Sequence, residues 1–439
     1  MILSIQPNST GMKYLSTRTD KTLYSLQEAA FKGLAADGGL FMPESIPQVD
    51  MKIVMQKAQR SFADTAYYLA SLFFGDDVQE QDLHHVVSNA LNFPIPLKHL
   101  GDDKYTLELF HGPTFAFKDV GARFMGQMFG KLAEKGKELI ILTATSGDTG
   151  SAVAAGFYNV PGVKVVILYP DGKVSDLQES QMTTLGANIH ALKVNGVFDD
   201  CQRMVKEVFN DAEYRSRKNV SSANSINILR WIPQSFYYFY GYCQWVKATG
   251  KDNPVVVVPS GNYGNLSAGM LARKMGLPVK SFVAASNVND TIPQYLLSGE
   301  YHAKPSVKTI SNAMDVGDPS NYERMLSLTS YDFETLKNQM TGYSCNDEET
   351  IAAIREIYKK YGYISDPHSA VGYNASEYYG VDGFWISTAN PFKFGNVVKD
   401  AIGVEPELPE ELKGLLDKKR ISTPIEADTE ALKKFLDTL

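Results

Sequence analysis

The chain has 439 residues, more than one ordinary hydrophobic core holds, so we expect two or three compact units. Hydrophobic residues make up 44% and charged residues 21%, which is typical of a soluble globular protein with large cores. The formal net charge of −7 argues against broad binding to nucleic acid, because such binding requires a basic surface.

Membrane, metal and disulfide chemistry are also not indicated. No apolar run approaches the length of a membrane span, and no secretory signal is visible. The three cysteines, Cys201, Cys243 and Cys345, are far apart and form neither a disulfide framework nor a zinc knuckle. The seven histidines give no zinc-site spacing. We therefore expect a cytoplasmic protein without a metal, without a membrane or nucleic-acid partner, and either monomeric or homodimeric.

Along the chain, residues 1–95 are mixed, with a turn-rich Asp-Gly-Gly-Leu-Phe loop at 37–41 between helical stretches. From about residue 104, short apolar runs alternate with helical patterns, which predicts an α/β fold with largely parallel sheets flanked by helices. The predicted strands are 138–143, 163–169, 255–258 and 281–285, and the predicted helices are 151–157 and 266–274. The tail beyond Pro406 has the pattern of amphipathic surface helices.

Lys118 is the first candidate for chemistry. It lies in the stretch His-Gly-Pro-Thr-Phe-Ala-Phe-Lys-Asp at 111–119, with Arg123 five positions downstream. Such apolar surroundings would desolvate the ammonium and lower its pKa, which a lysine needs before it attacks a carbonyl. The alternative is a surface lysine at the start of a helix, and this stretch alone does not decide between them.

A glycine-containing turn, Pro-Ser-Gly-Asn-Tyr-Gly-Asn at 259–265, follows the predicted strand at 255–258. Glycines let backbone amides converge, and the helix that follows presents its positive end, so the turn could hold a phosphate. It has neither the Gly-Lys-Ser/Thr of a Walker loop nor the spacing of a dinucleotide fold. The alternative is a tight strand-to-helix connection that uses glycine for geometry alone.

A second turn, Thr-Ser-Gly-Asp-Thr-Gly at 145–150, follows the predicted strand at 138–143. Its hydroxyls and amides at a helix N-terminus suit a carboxylate or a phosphate. Helix capping alone also accounts for such residues, because Ser, Thr and Asp are the preferred caps.

Other polar clusters are weaker signals. Asn227 and Arg230 are three apart and could hold an anion together on one helix face, or they could be a cap followed by a surface arginine. The segment 385–391 ends a hydrophobic run with two hydroxyls, as expected where ligands meet the carboxyl end of a strand. His368 could act as an acid or base, although a lone loop histidine is more often structural. The aromatic run at 236–240 favours core packing.

Taken together, these motifs resemble the threonine synthase family of pyridoxal-phosphate enzymes, specifically its bacterial and fungal branch with an added N-terminal domain. The matching segments occur in the order of the family and span nearly the whole chain. They are the loop at 37–41, the stretches 111–119 and 143–150, Asn224–Asn227 with Arg230, Gly261–Asn265, Asp366–His368, and 387–391 with Lys393 and Phe394.

The resemblance implies roles for particular residues. Lys118 matches the lysine that forms the imine with the cofactor and later moves protons. The cofactor phosphate would be held by Gly261, Asn262, Tyr263, Gly264 and Asn265. Thr388 matches the hydroxyl residue that hydrogen-bonds the pyridine nitrogen.

The resemblance also implies a substrate site and a domain plan. The candidate substrate-binding residues are Thr114, Ser146, Gly147, Asp148, Thr149, Ser225, Asn227 and Arg230. Asn390 departs from the family pattern, where histidine is expected, so an acid–base role there is in doubt. The fold would be that of a fold type II enzyme of two lobes, with an N-terminal domain at 1–95. The lobe at 96–245 would carry Lys118, and the lobe at 246–439 would carry the cofactor-phosphate loop and the C-terminal helices.

The activity implied by the resemblance is the conversion of O-phospho-L-homoserine and water to L-threonine and phosphate, the last step of threonine biosynthesis. A related phospholyase or dehydratase that acts on another hydroxy- or phospho-amino acid would share Lys118 and the loop at 261–265. A non-catalytic phospho-metabolite binding protein is an alternative of another class. A nucleotide-binding oxidoreductase is disfavoured by the missing dinucleotide fingerprint.

Overall fold

The structure is a computed structural model that describes residues 11–133, 138–145 and 147–439. The predicted N-terminal domain is present, as a small antiparallel sheet and four helices. Its elements are β1 (Tyr14–Ser16), α1 (Leu26–Lys32), β2 (Phe41–Pro43), α2 (Met51–Ala58), α3 (Phe62–Phe74) and α4 (Glu80–Ala90). Ser25 and Glu28 form a capping box that begins α1, and the Ser61 side chain caps α3.

The middle of the chain alternates strands and helices, as the sequence predicts. Its elements are β3 (Leu97–Gly101), β4 (Lys104–Glu108), α5 (Lys118–Leu132), β5 (Leu139–Ala144), α6 (Asp148–Phe157), β6 (Val163–Pro170), α7 (Asp176–Thr183), β7 (Ile189–Asn195), α8 (Phe198–Asn210), α9 (Ala212–Arg217), β8 (Val220–Ser222), α10 (Ile228–Trp231) and α11 (Phe236–Thr249).

The same alternation continues to the C-terminus. The elements there are β9 (Val255–Pro259), α12 (Gly264–Lys274), β10 (Ser281–Ser286), α13 (Thr291–Ser298), α14 (Tyr322–Leu328), α15 (Phe333–Lys337), β11 (Met340–Ser344), α16 (Asp347–Tyr361), α17 (Pro367–Tyr379), β12 (Gly383–Ser387), α18 (Gly395–Ile402), α19 (Glu410–Leu416), β13 (Thr423–Glu426) and α20 (Thr429–Asp437). Short 3₁₀ helices occur at Ile232–Ser235, Asn312–Met314 and Pro391–Phe394.

Two larger sheets organise these elements. One has six strands in the order β11-β10-β9-β12-β4-β3, and the other has five in the order β13-β7-β6-β5-β8. Every pairing in them is parallel except β3 with β4. This confirms the predicted α/β class with largely parallel sheets, and each predicted strand and helix overlaps an observed element, with ends that differ by up to three residues.

The sheets do not follow the predicted division of the chain at residue 245. β3 and β4 lie in the six-stranded sheet, although we placed them in the lobe at 96–245. At the other end, β13 pairs with β7 in the five-stranded sheet, and α20 packs against α8. A strand pairs wherever a sheet edge is open to it, whatever its distance along the chain, so the β13 segment completes the edge at β7. The domain limits at 95 and 245 remain a prediction. Each of the two larger sheets contains strands from both sides of residue 245.

The aromatic run at 236–240 packs in the core, as predicted. Phe236, Tyr237, Tyr238 and Phe239 are buried in the largest hydrophobic cluster, which also takes in α3 of the N-terminal domain. This burial ties the N-terminal domain to the six-stranded sheet. No helix in the described parts of the chain combines the length and the apolar character needed to cross a membrane.

A buried arginine on α14 joins three parts of the chain. Arg324 donates through Nη1 to the carbonyl of Ser225 at 2.9 Å, and through Nη2 to the carbonyls of Ile226 at 2.6 Å and Phe41 at 3.2 Å. Its guanidinium also lies 4.4 Å from the centre of the Trp231 ring. Burial lowers the pKa of Arg324 to about 9, and the surrounding carbonyls take the place of water.

Replacing Arg324 tests how much it contributes to the stability of the fold. Arg324→Met leaves buried carbonyls without donors, so we expect the free energy of unfolding to fall by about 3 kcal/mol. Arg18→Met is the matched control, because Arg18 forms an exposed ion pair with Glu323 at 2.5 Å and should cost no more than about 1 kcal/mol. Urea unfolding followed by circular dichroism measures both, and equal losses would contradict the assignment.

Candidate functional site

The candidate residues follow the carboxyl ends of three neighbouring parallel strands. β9, β12 and β4 are adjacent in the six-stranded sheet, and their chain directions agree. The loop at 261–265 follows β9, Thr388 follows β12, and Lys118 follows β4 after nine intervening residues. Ligands of α/β proteins bind at such an edge.

Lys118 begins α5 and is half-buried. Loss of water lowers the pKa of its ammonium, against the opposing effect of Asp148, and Lys393 and Arg230 lower it further. The direction of this shift agrees with the predicted desolvation of the ammonium. Arg123 is directed elsewhere, since it donates through Nε to the carbonyl of Ala90 at 2.8 Å.

Close packing of α5 on α6 brings Lys118 near the turn at 145–150. A Cβ on Gly126 of α5 would lie 2.0 Å from the carbonyl oxygen of Gly156, so the two helices cross backbone to backbone. β4 is in one sheet and α6 flanks the other, so Lys118 lies where the two halves of the structure meet.

The loop at 261–265 presents backbone N–H groups that have no partner. Among the described residues, none of the N–H groups from Gly261 to Asn265 donates a hydrogen bond. Space at the glycines is tight, because a Cβ on Gly261 would lie 2.6 Å from Cα of Met314, and one on Gly264 would lie 3.2 Å from Cβ of Ser225. Amides gathered at the start of α12 form a site for an anion.

Side chains around the loop hold its shape. Asn262 donates through Nδ2 to Oγ of Ser225 at 2.7 Å, and its Oδ1 accepts the N–H of Ser320 at 2.7 Å. Asn321 donates to the carbonyl of Asn262 at 3.0 Å. Asn265 accepts the hydroxyl of Ser260 at 2.5 Å, and Tyr263 adopts a positive φ of 58°. The loop is therefore fixed in place before any anion binds.

Thr388 is buried directly after β12, and its hydroxyl has no hydrogen-bond partner among the described residues. Its carbonyl accepts the N–H of Phe117 at 2.8 Å, which places it beside the start of α5. Its N–H donates to Oγ of Ser369 at 3.1 Å, and the Ser369 hydroxyl donates to Asp366. The free hydroxyl of Thr388 is therefore held in a fixed position.

His368 is structural, which settles the alternative left open by the sequence. Its Nδ1 is 2.8 Å from Oδ2 of Asp366, and its Nε2 accepts the N–H of Ala313 at 3.1 Å. Both ring nitrogens are therefore used, and the ring holds the turn at 312–314 against Gly261. Asn390 is structural too, since its side chain accepts the N–H of Phe392 and caps the following 3₁₀ helix.

Asp148 forms a buried ion pair that the sequence did not predict. Nζ of Lys393 lies 2.7 Å from Oδ1 of Asp148 and donates to the carbonyl of Thr114 at 2.7 Å. Gln178 donates to the same carboxylate at 3.0 Å. Burial raises the pKa of Asp148, but the charges of Lys393 and Lys118 and the hydrogen bonds from Lys393 and Gln178 outweigh it and hold the pKa far below its usual range. The predicted residue Ser146 lies outside the described residues.

Two predicted substrate-binding residues are engaged elsewhere. Asn227 is fully buried, and its Nδ2 donates to the carbonyls of Ala30 at 2.8 Å and Ser222 at 3.2 Å. The geometry therefore does not support the prediction that Asn227 and Arg230 bind an anion together. Thr114 donates its hydroxyl to Asp119 at 2.6 Å.

Ser225 lies beside Gly264, next to the predicted cofactor-phosphate loop. Gly147 adopts a φ of 139° and donates its N–H to Oγ1 of Thr145 at 2.9 Å, so this amide shapes the turn. Each of these residues is used by the fold itself, which sequence motifs do not reveal.

Arg230 and Thr149 remain available for an anion near Lys118. Arg230 is buried, not a surface residue, and its pKa is lowered to about 10 by loss of water. Nη1 donates to the carbonyl of Ala223 at 2.5 Å, whereas Nε is buried without a partner. The Thr149 hydroxyl has no partner among the described residues.

The sequence-based reasoning missed four residues that shape the site. Lys393 lies in a segment that matches the family but has no predicted role, and Ser369 directly follows the matching segment Asp366–His368. Asn321 and Arg324 stand in no motif, and only their position in the fold shows their contacts with the loop at 261–265 and the segment at 225–226. The one signal in the sequence is that Lys393 stands between two phenylalanines, Phe392 and Phe394.

These features fit pyridoxal phosphate. The unpartnered amides at 261–265 suit its phosphate, the free hydroxyl of Thr388 suits a ring nitrogen, and the desolvated amine of Lys118 suits an aldehyde. Each lies at the same edge of one sheet.

Comparison with known proteins agrees with this fit. The family described as pyridoxal-phosphate dependent enzyme matches residues 91–382. Two further families, described as threonine synthase N terminus and threonine synthase C-terminal, match residues 13–91 and 369–436.

Individual relatives match nearly the whole chain. Threonine synthase of Escherichia coli is 42% identical over 97% of this chain and 99% of its own length. That of Saccharomyces cerevisiae is 36% identical over 98% of each chain. The crystal structure of pyridoxal-phosphate-bound threonine synthase from Brucella melitensis superposes with a TM-score of 0.91 at 33% identity, over 98% of this chain and 99% of that one.

The fold and the site thus define a fold type II, pyridoxal-phosphate-dependent enzyme. Within that class, the chain belongs to the threonine synthase family. Its activity is threonine synthesis by a lyase reaction, with pyridoxal phosphate as the cofactor.

A glycine substitution tests the phosphate loop. Gly261→Ala would place a methyl group 2.6 Å from Cα of Met314, so the loop must shift and the cofactor Kd should rise at least about tenfold. Gly414→Ala on α19 is the control, because nothing lies within 4 Å of its added Cβ. Absorbance titration of each variant with pyridoxal phosphate gives the Kd, and equal values would contradict the assignment.

Proposed function

We propose that the chain converts O-phospho-L-homoserine and water to L-threonine and phosphate at the edge of the six-stranded sheet. Pyridoxal phosphate would be held by Lys118, by the amides of Gly261–Asn265 and by the hydroxyl of Thr388. When bound, this cofactor withdraws electrons from the amino-acid carbons, which makes the Cα and Cβ protons acidic.

Lys118 carries protons in this proposal. A lysine whose ammonium is desolvated is more readily neutral near pH 7, so it can accept the Cα proton of the substrate and return it later. The helix α5 begins at this residue and packs directly on α6, which limits the movement of the lysine backbone. Nearby cations disfavour its ammonium and so favour the proton-accepting state.

The leaving phosphate needs a second anion site, distinct from the loop at 261–265. We assign it to Arg230 and Thr149, because Arg230 has an unpartnered Nε near Lys118 and Thr149 has an unpartnered hydroxyl. Gly147, Asp148 and Thr114 shape this end of the site through their own hydrogen bonds. Asn227 supports the backbone here, since its carbonyl accepts the N–H of Arg230 at 3.0 Å, whereas Ser225 supports the loop at 261–265.

The observation that carries the proposal is the desolvated amine of Lys118 at the sheet edge shared with five unpartnered amides. A phospho-metabolite binding protein would need the amides to bind a phosphate, but it would not need a lysine whose pKa is lowered. A dehydratase would share both features, so the products of the reaction have to separate the two activities.

Removing the amine is the direct test. Lys118→Ala should abolish the absorbance near 400 nm of the lysine-bound cofactor and lower kcat by about 10³-fold or more, because proton transfer and positioning are both lost. Lys131→Ala is the matched control on the same helix, where Lys131 pairs with Asp82 on the surface. After borohydride treatment and tryptic digestion, the pyridoxyl group should be found on the peptide 105–123, uncut at residue 118. A tag on another peptide would overturn the assignment.

Product analysis tests the reaction itself. With phosphohomoserine as the substrate, we expect threonine and inorganic phosphate in equal amounts. Formation of 2-oxobutyrate and ammonia instead would identify the related dehydratase or phospholyase.

We also propose a cytoplasmic location and a monomer or homodimer. The three cysteines are buried free thiols, which is compatible with a reducing compartment. Cell fractionation tests the location, and sedimentation equilibrium measures the molar mass; a larger assembly or a secreted protein would contradict these proposals.

A further inference from the structure

We propose that Lys393 is a positioning residue whose ion pair with Asp148 weakens the attraction of that carboxylate for the amine of Lys118. This inference rests on the proposed role of Lys118. It assigns to the ion pair a task beyond holding the fold, namely control of the charge on the reacting amine.

The ion pair is buried and anchored by further hydrogen bonds. The Lys393 side chain is 0% exposed and that of Asp148 is 5% exposed, with Nζ and Oδ1 2.7 Å apart. The same Nζ donates to the carbonyl of Thr114 at 2.7 Å, which anchors the ammonium to the stretch that leads into Lys118. Gln178 donates through Nε2 to the same Oδ1 at 3.0 Å.

Hydrogen bonds of the surrounding backbone fix the position of Lys393. Asn390 caps the 3₁₀ helix Pro391–Phe394, and the N–H of Lys393 bonds to the carbonyl of Asn390 at 3.1 Å. The N–H of Asn390 bonds to the carbonyl of Phe115 at 3.0 Å, which ties this turn to the stretch at 111–119. Lys393 is therefore fixed relative to Lys118 by the backbone of both segments.

The charged groups that act on Lys118 come from three elements. Asp148 at the start of α6 favours the ammonium, whereas Lys393 on its 3₁₀ helix and Arg230 on α10 oppose it. Next to Lys118 on α5, Asp119 accepts two hydrogen bonds from Thr114. Asp148 is thus the carboxylate that would hold Lys118 charged, and Lys393 is the group that occupies it.

Removing the Lys393 charge should raise the pKa of Lys118, because the freed carboxylate would attract the nearest ammonium. The test uses the full-length chain after its cofactor has been removed with hydroxylamine. Competitive labelling with acetic anhydride, read on the peptide 105–123 by mass spectrometry, gives the neutral fraction of Lys118 against pH. In Lys393→Met the labelling rate near pH 7.5 should fall about tenfold, equivalent to a pKa raised by about one unit.

Other variants make the result specific. Asp148→Asn should label Lys118 at least as fast as the original chain, and Asp148→Asn combined with Lys393→Met should return the rate to within about threefold of it. Lys393→Arg should restore the original rate, since it keeps the charge. Lys399→Met is the matched control, because Lys399 pairs with Glu405 on the surface of the adjoining helix.

A merely structural ion pair predicts another pattern. It would lower the free energy of unfolding in both single variants and leave the pH profile of Lys118 unchanged. An unchanged profile in Lys393→Met, or slower labelling in Asp148→Asn, overturns the inference. If Lys393→Met does not fold, the direction of the change in Asp148→Asn decides alone. Failure of the proposed function would show separately, as a borohydride tag on a peptide other than 105–123.

Discussion

One buried guanidinium holds the parts of this site together. Arg324 bonds to carbonyls of the N-terminal domain and of the segment at 225–226, and also to Oδ1 of Asn321 at 2.8 Å. Asn321 in turn bonds to the loop at 261–265, through the carbonyl of Asn262. A guanidinium has five N–H donors in a fixed plane, so it can join several backbone segments where a lysine could not. The N-terminal domain is thereby linked to the cofactor-phosphate loop.

Such bracing is needed because the site keeps polar groups without partners. Each unpartnered N–H at 261–265 and the Nε of Arg230 would otherwise favour a rearrangement that gives it a hydrogen bond. Asn262, Asn265 and the ring of His368 prevent that rearrangement by fixing the loop from several sides. Anion binding then requires little ordering of the protein, which favours affinity.

The sequence predicted the alternating strands and helices, and its candidates Lys118, the loop at 261–265 and Thr388 follow adjacent strands of one sheet. The features that it did not predict have physical reasons. Strands and helices from 138 to 285 follow local hydrophobic patterns, and the two turns follow glycine and hydroxyl positions that have local causes. The pairing of β13 with β7 and the contact of Arg324 with Phe41 join residues more than 200 positions apart, which no local pattern encodes. Asn227 and Thr114 were predicted to bind substrate, but their hydrogen-bond donors are used within the fold. Asn227 donates to the distant carbonyl of Ala30, and Thr114 donates to the buried carboxylate of Asp119.

The position of Lys118 at the meeting of the two sheets explains why its charge depends on so many segments. Its helix begins after a strand of the six-stranded sheet and packs on α6 beside the five-stranded one. Asp148 and Lys393 reach it from opposite sides of that boundary, so the local field changes whenever the two halves shift. Electrostatic effects are strong where water is excluded, and small shifts there have large consequences. A movement that separated Lys393 from Asp148 would therefore favour the ammonium of Lys118, which makes the ion pair a physical link between the packing of the two halves and the state of the reacting amine.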